Sequence, residues 1–278
     1  MSTRSAFRFD PKAIFGSFVI GVVFVVLFTA LTGNIFGSPT FPLLALTSGF
    51  ILAGVGYGYL SEGETVMEPA LAAILVSVVA YFIIKALKFE AFGNLVEEGN
   101  FTYMMVIAFL NGLMLTFAGA WAGETLQRTY AGSGESVLDW RWIMTGTILG
   151  FAVSLFLANF VIWLFGMLAG GRNPAYAALE PSGVWSMLFV IFLGLQVTGY
   201  ICAFRSPGDT SYEAAIAGLI TLILLVDVFV FALQGEDLRM LTYGRMILVL
   251  IIGLLASLVG GYIGERVQAR VEDPSSAA

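Results

Sequence analysis

The chain has 278 residues, 59% of them hydrophobic and only 12% charged, with a mean hydropathy of +0.91; a soluble core of this size could not hide so much apolar surface, so the bilayer is expected to solvate most of it. The net charge of −6 leaves no basic face for nucleic acid. The absence of His removes the commonest general base and the commonest metal and haem ligand, and the single Cys202 rules out an internal disulfide or a multi-cysteine metal site, so no cofactor is expected.

Arg4, Arg8 and Lys12 precede the first apolar run. That run is longer than a signal-peptide core and no small-residue cleavage site follows it, which predicts a retained transmembrane helix. Eight apolar stretches are predicted in order, at 13–35, 42–60, 66–88, 102–126, 142–169, 183–204, 211–233 and 243–268. Each has about the 20 residues that a ~30 Å hydrocarbon core requires. None shows strand-length alternation, and backbone groups in lipid must be satisfied internally, so the fold class expected is all-α integral membrane. The 89–101 connection has room for a short surface helix. The tail after Arg270 reads as disordered.

Alternating spans divide the basic residues into two sets. Arg4, Arg8, Lys12, Arg128, Arg141, Arg205, Arg266 and Arg270 fall on one side; Lys85, Lys88, Arg172, Arg239 and Arg245 fall on the other. The larger set predicts both termini in the cytoplasm, and a bacterial inner membrane is the expected location.

The chain repeats itself. Ser61, Gly63, Thr65, Glu68, Ala70 and Ala72 recur as Ser206, Gly208, Thr210, Glu213, Ala215 and Ala217, an offset of 145 residues. Gly112, Gly119, Gly123, Glu124 and Gln127 recur at an offset of 141 as Gly253, Gly260, Gly264, Glu265 and Gln268. A weaker likeness joins Lys12–Gly21 to Arg141–Gly150. The expected organisation is two four-helix repeats, 1–130 and 131–278. Four spans per repeat is an even number, so the repeats should be parallel.

The polar residues carry two readings each. Thr65-x-x-Glu68 and Thr210-x-x-Glu213 have the form of capping boxes, in which the Glu returns to the N-cap amide and favours the positive end of the helix; the alternative is a functional acid. Glu124 and Glu265 end spans 4 and 8 beside Arg128 and Arg266, which predicts interfacial ion pairs. Asp227, inside span 7, is either paired with Lys85 of span 3 or an ion site. Asn111, Asn159 and Gln196 are predicted to hydrogen-bond between helices, or else to line a pore. Gly54-x-x-x-Gly58, Gly119-x-x-x-Gly123, Gly146-x-x-x-Gly150 and Gly260-x-x-x-Gly264 predict close helix packing.

The pattern G-Y-x-[ST]-x-G-x-T-x-x-E-[AP]-x-x-A runs from Gly58 to Ala72 and is followed by G-E-x-x-Q at Gly123–Gln127. It resembles a group of bacterial four-helix integral membrane proteins of unassigned activity, here in tandem duplicate; the second copy departs from it at Cys202–Arg205. The resemblance implies an integral membrane protein and carries no activity with it. The function expected is a non-catalytic polytopic membrane protein, a scaffold or a subunit of a membrane assembly, in contact with lipid and with other membrane proteins or its own copies. A small transporter or channel for an ion or solute is the alternative. No nucleophile–base or metal constellation points to an enzyme.

Overall fold

An unbroken apolar run satisfies its own backbone only as a helix, and the long apolar runs of this chain are helical. The computed structural model describes residues 11–33, 40–60, 67–89, 92–127, 138–168, 181–206, 211–233 and 243–272. Its elements are α1 (Pro11–Gly33), α2 (Thr40–Leu60), α3 (Met67–Leu87), α4 (Gly93–Glu97), α5 (Phe101–Leu126), α6 (Trp140–Leu168), α7 (Pro181–Arg205), α8 (Ser211–Leu233) and α9 (Tyr243–Glu272). Among the described residues, eight of these helices are long and apolar enough to cross a membrane. All eight coincide with the stretches read from the sequence, with ends within about four residues.

One difference lies at a helix end. The last helix runs on to Glu272, past the point where the tail was expected to begin. Arg270 in its last turn suits the negative end of the helix dipole. The 89–101 connection contains the short α4, and its register is fixed by apolar anchors. Phe89 and Phe92 are buried in the same cluster as Phe101 and Met105. Lys88 adopts a left-handed backbone (φ 47°) where α3 ends, and Gly99 another (φ 74°) before α5 begins. The 170–182 connection and most of the Gln127–Trp140 linker lie outside the described residues.

Glycine decides how closely the helices approach. Gly54 and Gly58 of α2 lie against the backbone of α5 at Thr116 and Ala120, while Gly119 and Gly123 of α5 lie against Ile51 and Val55 of α2. A Cβ at any of the four would overlap a backbone atom. Two of the expected small-residue motifs therefore face one another across a single seam. Thr116 Oγ1 crosses that seam to the Phe50 carbonyl at 3.3 Å. The α7–α9 seam is built alike, with Gly199 against Ser257, Gly260 against Gln196 and Gly264 against Tyr200.

Around these seams α1 packs on α2 and α3, and α6 packs on α7 and α8. The bundle is joined through α6, which also lies against α2 and α5. Ile51, Val55, Ala122 and Leu126 meet Trp142, Leu149 and Ala152 there in one buried cluster. The Phe28 and Phe156 rings stack at 4.3 Å between α1 and α6. As a result α2 and α6 are the most enclosed of the long helices.

Candidate functional site at one end of the bundle

The two sequence motifs that stood apart in the chain meet in space. Gly264 lets α9 come against α7. One residue on, Glu265 Oε1 accepts the backbone N–H of Ser211, the first residue of α8, at 2.6 Å. One turn further, Gln268 Nε2 donates to the Ser206 carbonyl at the end of α7, at 2.9 Å. The G-E-x-x-Q segment thus holds both sides of the polar connection between α7 and α8. Helix starts leave backbone N–H groups without partners and helix ends leave carbonyls without them; Glu265 and Gln268 supply one of each. At the end of α5, Gln127 Nε2 likewise donates to a carbonyl at a helix end, that of Tyr59 in α2, at 2.5 Å.

Glu124, expected at the membrane interface in an ion pair with Arg128, is wholly buried, at 0% exposure, and engaged with a partner; Arg128 lies outside the described residues. Glu265 is half-buried and turned onto the start of α8. A carboxylate near the end of its own helix is mildly unfavourable for that helix. The Glu265 carboxylate lies instead at a neighbour's start, where negative charge is favoured.

Glu213 does related work one helix further round. Its Oε1 accepts the backbone N–H of Asp139, just ahead of α6, at 3.0 Å. Asp139 in turn accepts from the Arg141 backbone N–H through Oδ1 at 2.9 Å. Glu213, expected in a local capping box with Thr210, thus also reaches between helices. Glu68, its counterpart, is buried in the first turn of α3 beside Pro69. Thr65 and Thr210 lie outside the described residues.

At the same end, the Arg205 guanidinium hydrogen-bonds the Tyr59 hydroxyl and lies over the Tyr59 ring at 5.1 Å. Sequence reasoning assigned Arg205 to the charge bias and Tyr59 to the motif, and did not join them. The only signal was that each stands at the end of an apolar span.

The remaining candidates are dispersed. Lys85 is exposed on α3, with its Nζ 5.6 Å from the centroid of the Tyr81 ring one turn earlier. Asp227 is exposed on α8. The two form no ion pair, and α3 and α8 are not packing neighbours. Asn159 is buried on α6, and its Nδ2 returns to the Leu155 carbonyl at 2.8 Å while its Oδ1 has no partner. Gln196 is half-buried on α7, its backbone against Gly260. Asn111 lies on the exposed side of α5 and makes no hydrogen bond, contrary to the expectation that it bridges helices. These three amides do not converge.

Two small recesses lie between helices. One is bounded by Phe50, Ala73 and Thr116, the other by Leu195, Gly218 and Ser257. Neither admits a solute larger than water. Cys202 is buried at the edge of the second. The site can cap helix ends and fix the angles between helices.

No protein-family model, curated protein or solved structure matches the chain.

Proposed function

We propose that this is a non-catalytic polytopic membrane protein of the bacterial inner membrane, a scaffold or subunit of a membrane assembly, with both termini in the cytoplasm. Two parallel four-helix modules, 1–130 and 131–278, make up the chain, as in the four-helix group that its motifs resemble. The supporting observation for duplication is positional. At the offsets read from the sequence, Gly54, Gly119 and Gly123 correspond to Gly199, Gly260 and Gly264, and their contacts Thr116, Ile51 and Val55 correspond to Ser257, Gln196 and Tyr200. The two recesses correspond as well, Phe50 with Leu195, Ala73 with Gly218 and Thr116 with Ser257.

The observation that carries the scaffold reading is where the polar groups go. Glu213, Glu265, Gln127 and Gln268 are all engaged with backbone at helix ends. The amides that could line a path are separated, with Asn159 buried, Gln196 half-buried and Asn111 on the outer face of α5. A close-packed bundle without a convergent polar path among the described residues suits holding partners better than moving a solute.

The test is purification in native nanodiscs with mass spectrometry of what accompanies the chain. A stoichiometric protein partner, or a second copy, is expected. Ion or solute flux in liposomes of the purified chain, abolished by Asp227→Asn, would overturn the reading in favour of transport.

A further inference from the structure

We infer that the outward face of α5 is a docking seam for a second copy of this chain, with Asn111 paired to Asn111 of that copy inside the membrane. The inference rests on the assembly-subunit reading above and names its partner.

Asn111 is about ten residues into a helix of 26. At about 1.5 Å per residue it stands about 15 Å from one end and about 22 Å from the other. A short amide side chain cannot reach water from there, unlike the long stem of Lys85. Its surroundings are apolar: Leu110 and Met114 are 60% and 71% exposed. An amide in hydrocarbon without a partner costs several kcal/mol by order of magnitude. Asn159 partly meets that cost by returning to its own helix. Asn111 makes no such bond.

The module itself does not require an amide here. The corresponding position at offset 141 is Ile252, exposed on α9 beside Ile251 and Leu255. Around Ile252 the exposed residues Leu248, Ile251, Leu255 and Val259 are apolar, as lipid contact demands. Asn111 therefore marks a departure specific to α5.

The chemistry selects the occupant. Met104, Ile107, Asn111, Met114 and Ala118 follow one another at spacings of three and four, and each is at least partly exposed. That is the seam of a helix pair, with the single Asn at a central seam position, where such a residue fixes register and pairing. Ala118 permits close approach. An amide both donates and accepts, so its best-matched partner is another amide at the same depth. A two-fold axis along the membrane normal places a second Asn111 there, since both copies of α5 then run parallel at equal depth.

The test uses the full chain in native nanodiscs. Asn111→Cys under mild oxidation should give a disulfide-linked dimer, while Ile252→Cys on the corresponding face should not. The native Cys202 is buried and serves as the common background. Independently, native mass measurement should find wild-type dimers, and Asn111→Leu should weaken dimerisation about 3- to 30-fold. A wild-type chain that stays monomeric, or a dimer that Asn111→Leu leaves unchanged, overturns the inference. Cross-linking of Asn111→Cys to a different protein also overturns it, yet leaves the assembly-subunit reading standing. A chain without any partner by either method overturns both.

Discussion

Glu265 of α9 holds the backbone amide of Ser211 at the first position of α8, 2.6 Å away. The acceptor lies on one helix and the donor starts another, so the bond fixes how two helices meet and not how one begins. Glu265→Gln retains a carbonyl oxygen and should fold with a loss below about 1 kcal/mol. Glu265→Ala leaves an amide at a helix start unpartnered and should cost about 1–2 kcal/mol. Unfolding of the two variants in nanodiscs checks this; equal losses would mean that the carboxylate's charge and not its acceptor oxygen matters.

Glycine substitutions should separate sharply by position. A side chain at Gly119 would meet the Ile51 carbonyl and at Gly260 the Gln196 carbonyl, both backbone atoms that cannot rotate away. Gly119→Val and Gly260→Val should each cost about 3 kcal/mol or more by forcing the seams apart. Gly56→Ala should be tolerated, because the nearest atom to its new Cβ is a side-chain methyl of Ile20 at 4.0 Å. It also removes a helix-interior glycine, worth up to about 1 kcal/mol in favour of the variant. Thermal unfolding of the three in the same lipid discs gives the ranking directly.

The helices were legible because long apolar runs have one physical answer in lipid. The seams were legible in part. Gly54-x-x-x-Gly58 and Gly119-x-x-x-Gly123 announced close packing, but spacing alone does not say that one faces the other. The site was harder to read because its bonds are not local. Glu213 stands three residues after Thr210, so local rules assign it a capping box and say nothing of the bond that its Oε1 makes to Asp139, 74 residues earlier. Glu124 looked interfacial because it ends an apolar run near Arg128; its burial comes from α5 lying so close to α2 at Gly123 and Val55. Asn111 was read as a bridge between helices because a polar residue in a span usually is one, and only the packing of α5 turns it outward.

Lys85 and Asp227 should behave as independent residues. Both are exposed, on helices that are not packing neighbours, and Lys85 lies over Tyr81. Lys85→Glu and Asp227→Lys should therefore have additive effects on stability, within about 0.5 kcal/mol, as distant sites do. The double reversal is the discriminating measurement. Recovery of stability beyond that margin would place the two charges together, in the pair that the sequence suggested.

Arg205 and Tyr59 should couple. The guanidinium bonds the phenol hydroxyl and covers its ring, linking the end of α7 to the end of α2. Tyr59→Phe keeps the ring and removes the hydroxyl, so it isolates the hydrogen bond, whose charged donor raises its worth to about 1.5–3 kcal/mol when shielded from water. Half-burial of both residues reduces that, and a coupling of about 0.5–2 kcal/mol is expected from the cycle Arg205→Gln, Tyr59→Phe and the double variant. Arg205→Lys should recover little of it, because an ammonium cannot lie flat over the ring while bonding the hydroxyl as the planar guanidinium does. Arg205 also holds a further partner, so its single variants should lose more than Tyr59→Phe does. A cycle without coupling would mean that the two helix ends are held by the α2–α6 and α6–α7 packing alone.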